Sequence, residues 1–499
     1  MSRVKSSSYN VATIGLFAVV TTSLGLISTP LLLLWLGKEQ FGLFRMLADW
    51  AGYVTILDLG LGASVGACIA WALEQPPEML EKVLATSVRA YLKITALMMA
   101  GALAFVVALP KLMPVSSVSN WQISVAAAVL FLPLAWTPIT TFRALAEARQ
   151  KGYLINLMLA GQAVLTTLLV LILAKLGFGV VGQAIGTTVA QLPLPIALAA
   201  FAIRKYRGLW SRPFDQETAK KLRRSNGPNL ILNLSGRLSL LSDNIVIGTV
   251  MGSAAVAPFF LTQRLASLAQ SQLLGVGSST WPALMQLHNR GMKMLFCTRL
   301  KQLTSLLSSL SLAALAPIVA FNGHFISQWV GKAAYAGEAV NMVSCVNIWF
   351  GCLLSLWLWP IVASGNSVLW APFAIVATVI NVAVSILGAI YFGWLGPLLG
   401  TLISYCIVSS WAVPRIVRDL FEIRPSDIWY SALSPLLWAV PYTLILCLIS
   451  ARSLASGWVG VAIEMGISAC GALGIYWLIG MNSEQRSEWV VRARATLAA

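Results

Sequence analysis

The chain has 499 residues, 58% of them hydrophobic and only 10% charged, with a mean hydropathy of +0.81. Soluble domains carry about 25% charged residues, so a water-soluble globule is excluded, and at about 20 apolar residues per crossing the length allows a dozen or more membrane helices. The net charge of +17 does not point to nucleic acid, because the basic residues sit in short gaps between apolar runs, where they set topology.

In chain order, apolar runs occupy 10–36, 42–73, 83–109, 121–143, 153–174, 179–202, 227–250, 256–287, 296–321, 339–363, 369–392, 396–414, 431–450 and 457–480, which predicts about fourteen spans. Residues Met1 to Asn10 are short, weakly basic and serine-rich, and no cleavage pattern follows a short apolar segment, so the first run reads as a retained helix rather than a signal peptide. The second run is unusual. Its segment "GYVTILDLGLGASVGACIAWAL", Gly52 to Leu73, holds Asp58 and four glycines. A charge in hydrocarbon costs at least a few kcal/mol, so Asp58 should face protein or water. Glycines let a helix bend and let backbones approach, and the run therefore reads as a bent helix lining something polar. Prolines within later runs, such as Pro133, Pro282 and Pro360, mark kinks.

Of the 34 basic residues, 24 fall in one set of loops that includes both termini, 5 in the opposite set and 5 within spans. That bias predicts cytoplasmic termini and an even number of spans. The richest loop, "IRKYRGLWSRPFDQETAKKLRRSNG" (Ile203 to Gly227), reads as a solvated linker facing lipid headgroups. The seven cysteines lie mostly in apolar runs without a CxxC pair and read as small buried hydrophobes. His288 and His324 are isolated, in expected loops, and offer no metal-ligand spacing. No metal site is indicated.

The two halves repeat. Leu36-Gly37 and Leu59-Gly60-Leu61-Gly62 recur as Met251-Gly252 and Leu274-Gly275-Val276-Gly277, an offset of 215; "GVVGQAIGT" from Gly179 recurs as "GWLGPLLGT" from Gly393, an offset of 214. Six spans separate equivalent points, so the repeats share one orientation, a transporter signature. The expected division is a six-helix bundle over 1–202, a basic linker over 203–226, a second six-helix bundle over 227–418, and two last helices with a tail over 419–499.

The segment "PLLLLWLGKEQFGLFRMLADWAGYVTILDLGLGASV" (Pro30 to Val65) resembles the opening of bacterial polysaccharide-transport flippases, the O-antigen and exopolysaccharide translocases of the MATE-like multidrug/oligosaccharidyl-lipid/polysaccharide (MOP) superfamily. The resemblance implies an all-α polytopic membrane protein of the bacterial inner membrane, with two parallel bundles forming a V-shaped central cavity plus two C-terminal helices. It implies transport of a polyprenyl-diphosphate-linked oligosaccharide to the outer leaflet for O-antigen or exopolysaccharide assembly. Membrane lipid and the polymerase and chain-length regulator of such a pathway are the implied partners.

A diphosphate crossing a bilayer needs cations in a wet cavity, and arginine suits this through its planar donor fork. The in-span bases Arg45, Arg89, Lys93, Arg237 and Arg264 are the candidates, with Arg237 and Arg264 deepest. Arg89 and Lys93 could equally snorkel to the interface, and Arg45 could pair with Asp49 one turn on. Asp49, Asp58 and Asp243 are the candidate coupling or cavity acids, for a proton or sodium; Asp243 could equally neutralise Arg237 or Arg264. No cofactor is indicated. A drug/cation antiporter of the same superfamily is the alternative, disfavoured because the first span, Val11 to Leu36, contains no acid. A peptidoglycan-precursor flippase shares the architecture. A membrane polymerase or glycosyltransferase needs large outer loops or paired acids, whereas Glu39 and Glu338 are the only acids of the short outer loops. No GxxxxGK[ST] occurs, and no nucleophile–His–Asp arrangement is visible, so the expectation is a transporter and not an enzyme.

Overall fold

The computed structural model describes residues 3–55, 61–113, 118–206, 208–209, 214–220, 222, 242–452, 457–481 and 486–487. Every regular element among them is helical: α1 (Arg3–Val54), α2 (Leu61–Ala72), α3 (Pro77–Leu112), α4 (Asn120–Phe131), α5 (Thr140–Ala148), α6 (Gly152–Lys175), α7 (Gly179–Ala190), α8 (Pro193–Lys205), α9 (242–251), α10 (Ser253–Thr262), α11 (Arg264–Asn289), α12 (Lys293–Trp329), α13 (Glu338–Ala363), α14 (Ser367–Phe392), α15 (Leu395–Ser404), α16 (Ser410–Phe421), α17 (Pro425–Leu433), α18 (Leu436–Arg452) and α19 (Gly457–Ile475). Local chemistry sets several boundaries. Pro77 starts α3 where its missing N–H costs nothing, and Ser119 with Gln122 forms a capping box at α4.

Eleven helical stretches among the described residues are long and apolar enough to cross a membrane, against the fourteen runs expected. The difference has physical causes. The stretch Ala12–Val54 joins the first run to the start of the second, broken only at Gly37, whose φ of 74° no helix interior adopts. The second run continues as α2, and Asp58 lies outside the described residues. The 256–287 run divides into α10 and α11, and α11 carries Ser267, Gln270, Ser271 and Gln272 in its first half, too polar for an ordinary lipid-facing helix. The 227–250 run is described only from 242 on, so Arg237 lies outside the described residues.

The chain forms two compact units, Met1–Ala257 and Pro258–Ala499. In the first, α6 packs along α1 and turns tightly into α7, where Gln183 Nε2 donates to the Val170 carbonyl at 2.9 Å. Helix α9 belongs to this unit, and a Cβ at its Gly248 would overlap the Met46 side chain. The linker was expected to be solvated and to face lipid headgroups, but its Leu209 and Leu222 are buried among Leu61, Val65, Leu84, Val88 and Phe142. The Asp215 backbone N–H also donates to Thr86 Oγ1 of α3 at 3.1 Å. Two apolar side chains of a basic segment thus dock it on the bundle, while its described charges Arg204, Lys205, Glu217 and Lys220 are exposed.

In the second unit α12 is the central post, packed by α11, α13, α17, α18 and α19. It runs eight residues past the expected end of its span because Asn322 and Gly323, read as a loop start, are held inside the bundle; Gly323 lies against Glu338 and Tyr335. Both histidines consequently sit on helices rather than in loops. His288 is in the last turn of α11, and His324 Nδ1 lies 3.3 Å from Glu464 Oε2 of α19.

The repeat is visible in the backbone. Gly37 and Gly252 both take left-handed angles, φ 74° and 91°, and so do Gly179 and Gly393, φ 56° and 58°. Gly186 of α7 meets the α6 backbone at Val170, and Gly400 of α15 meets the α14 backbone at Ser385, again 214 or 215 residues apart.

Candidate functional site

In the first unit, α1 brings Arg45 and Asp49 into the bundle one turn apart, both half-buried. The Arg45 guanidinium carbon lies 5.2 Å from the Phe41 ring centre. Asp49 looks across to α9, where Asn244 Nδ2 donates to its Oδ2 at 2.8 Å. Arg45 lies one turn before Asp49 on the same helix, and the directional hydrogen bond to Asp49 comes from another helix. Asp243 stands beside Ser242, with Oγ 3.4 Å from its Oδ1, and within the field of Asp49 and Tyr53. Two carboxylates therefore face one interhelical seam between α1 and α9.

At the far end of the same unit, Arg89 is half-buried on α3. Lys93 is exposed, with its Nζ 5.6 Å from the Phe214 ring centre of the docked linker. A cation over an aromatic face at an exposed position contributes about 0.5–1 kcal/mol.

In the second unit, the helix is interrupted at Gln263, between α10 and α11, and Arg264 is the first residue of α11. Counted from Ser253, Arg264 is eleven residues on, about 16 Å at the helical rise of about 1.5 Å per residue. Its guanidinium carbon lies 5.8 Å from the Phe260 ring centre one turn earlier. Its Nε is buried and has no hydrogen-bond partner among the described residues, and no carboxylate among them pairs with it. Polar groups continue from there. Gln263 Oε1 accepts from Ser344 Oγ of α13 at 3.4 Å, and Gln270 approaches α13 at Gly351, where a Cβ would stand 3.2 Å from Tyr405 Oη. Behind them, Trp349 Nε1 donates to Ser308 and Trp357 Nε1 to Thr304, each at 3.0 Å, so these indoles are committed to the core.

Sequence reasoning missed Asn322 and Asn341. Both are fully buried and bonded to each other, and Asn322 also bonds to the Thr262 carbonyl at the α10–α11 interruption. Asn322 fell one residue past the expected 296–321 span and Asn341 near the start of the 339–363 run, each a single amide at the end of an apolar stretch. Each unit thus holds polar groups inside a helical bundle. Among the described residues no three His, Cys, Asp or Glu side chains come together to ligate a metal.

The profile of the family described as "Polysaccharide biosynthesis protein" matches residues 8–288, more than half of the chain. The chain belongs to that family. Among solved structures, it is similar to one described as the lipid II flippase MurJ in an inward closed conformation, at TM-score 0.68 and 12% identity over 93% of this chain and 98% of that one. It is also similar to a multidrug resistance MATE transporter of the MOP superfamily in an inward-facing conformation, at TM-score 0.62 and 18% identity over 80% and 98%. A further MATE structure, in complex with MaL6, follows at TM-score 0.58 and 17% identity over 82% and 96%. No curated protein matches the chain in sequence at a significant level. At such identities the likeness is one of fold; the family match and the eleven long apolar helices among the described residues make the chain a multi-pass membrane protein of the polysaccharide biosynthesis family.

Proposed function

We propose that the protein carries a polyprenyl-diphosphate-linked oligosaccharide across the bacterial inner membrane, from the cytoplasmic to the outer leaflet. The observation that carries this reading is Arg264, half-buried with its Nε enclosed and without a carboxylate partner among the described residues. A charge left unpaired in a bundle is costly, and an arriving anion removes that cost while accepting paired hydrogen bonds from the fork. The family match supports a glycan as the cargo, and a diphosphate is the anionic group that such a lipid-linked cargo presents. Arg237, Arg45, Arg89 and Lys93 stand as further contacts along the path. Both termini face the cytoplasm, and the polymerase and chain-length regulator of the same assembly are the partners downstream.

Asp49 and Asp243 supply the complementary role of exchanging a proton or a sodium ion during the cycle. Their support is the shared seam between α1 and α9. The similarity to a structure described as a lipid II flippase favours a second cargo of the same chemistry, a peptidoglycan precursor, in which the diphosphate anchor is unchanged and only the glycan differs.

The test is a flippase-null strain carrying Arg264→Ala or Arg264→Lys. The alanine variant is expected to reach the membrane at normal level and to abolish surface polysaccharide. The lysine variant restores part of it, since one ammonium cannot reproduce the bidentate fork. Normal polysaccharide with Arg264→Ala removes this residue from the mechanism.

A further inference from the structure

The interruption that begins α11 at Arg264 is held from outside its own helix. Thr262, the last residue of α10, is fully buried. Its carbonyl accepts a hydrogen bond from Asn322 Nδ2 of α12 at 2.7 Å. Its hydroxyl donates to the Pro258 carbonyl at 2.8 Å and accepts from the Ala336 backbone N–H at 2.9 Å. The second proton of Asn322 Nδ2 goes to Asn341 Oδ1 of α13 at 2.8 Å. Asn341 Nδ2 in turn donates back to α12, to the carbonyls of Ile318 at 3.0 Å and Val319 at 3.2 Å. The amide of Asn322 is therefore saturated as a donor, with one proton spent on the interruption and one on the residue behind it.

Both asparagines are fully buried, where an unsatisfied amide costs several kcal/mol and where leucine would pack three helices without that liability. Their partners show what the polar pair does instead. The backbone bond from Gln263 N to Phe259 O is stretched to 3.4 Å, and the ladder resumes with Ser267 N to Gln263 O at 2.9 Å. The interruption at Gln263 immediately precedes Arg264. In a regular helix each residue turns by about 100°, so a change in the winding at Gln263 re-aims Arg264 before any other side chain of α11.

We propose that Asn322, braced by Asn341, is a positioning residue that fixes the α10–α11 interruption and thereby the direction of the Arg264 guanidinium toward an anionic cargo. This rests on the reading of Arg264 as the diphosphate anchor. Asn322 touches no cargo; it acts through the Thr262 carbonyl.

The experiment is a double-mutant cycle on the purified full-length protein in nanodiscs, with farnesyl diphosphate as the binding probe and farnesol as the uncharged control. Arg264→Gln and Asn322→Ala are each expected to weaken farnesyl diphosphate binding by about tenfold, the scale of one lost charged hydrogen bond. Neither changes the weak binding of farnesol. The double variant binds no more weakly than Arg264→Gln alone, because the two residues serve one contact. If Asn322→Ala does not accumulate, the paired substitution Asn322→Leu with Asn341→Leu removes the bond to the Thr262 carbonyl without leaving either buried amide unpaired, and carries the same expectation. Wild-type affinity in these clamp variants, or a loss that adds to that of Arg264→Gln, overturns the proposal. Wild-type affinity in Arg264→Gln with a loss in the clamp variants instead overturns the anchor reading, and the proposal with it. A parallel loss of farnesol binding marks collapse of the bundle and also counts against a positioning role.

Discussion

Counted from the left-handed glycines Gly37 and Gly252, Asp49 and Arg264 are each twelve residues on, equivalent places in the two repeats with opposite charge. The first unit answers its acid with an amide, Asn244, whereas the second leaves its base without a carboxylate among the described residues. This asymmetry is what a carrier of an anion driven by a cation needs. If Asp49 exchanges a cation, Asp49→Asn should keep protein level and farnesyl diphosphate binding near wild type. It should, however, abolish the response of transport to an imposed proton or sodium gradient in vesicles. An unchanged gradient response assigns Asp49 to packing alone. The two charges were legible in the sequence because charge in an apolar run is rare and conspicuous. Asn322 and Asn341 were not, because a neutral amide is unremarkable until a partner 19 residues away and the Thr262 carbonyl 60 residues away are seen beside it.

At the scale of elements, glycines fix how closely the paired helices α6–α7 and α14–α15 approach. A Cβ at Gly400 would stand 2.7 Å from the Asn381 carbonyl and 2.8 Å from the Ser385 amide, both rigid backbone. Gly400→Val should therefore separate α15 from α14 and strongly reduce accumulation of the protein, by the few kcal/mol typical of overpacking. Gly15→Ala, with nothing within 4 Å of the added atom, should leave the level unchanged. Quantitative membrane immunoblots of the two variants decide this, and equal levels would show that the α14–α15 contact is not limiting. The glycine repeats were readable because they are local patterns. The docking of Leu209 and Leu222 was not, since two leucines in a basic segment acquire meaning only against α2, α3 and α5. The ends of α12 escaped for the same reason: Gly323 ordinarily signals a stop, and tertiary packing overrides it.

For the whole molecule, the distribution of basic residues predicts that both termini and the 203–226 linker lie in the cytoplasm. Reporter fusions at the C-terminus and within 203–226 should both report the cytoplasmic side, and an external C-terminus would break the even number of spans. Membrane class and family were accessible from composition and the Pro30–Val65 segment, and the family match and the helical fold agree with them. The cargo is the central claim, and reconstitution tests it most directly. Purified protein in sealed vesicles is given a fluorescent polyprenyl-diphosphate oligosaccharide in one leaflet, and its arrival in the other is timed against a fluorescent phospholipid and a cationic dye. The account predicts that the protein accelerates only the diphosphate-linked glycan and that Arg264→Ala abolishes the acceleration; uptake of the cationic dye with no movement of the glycan would contradict it.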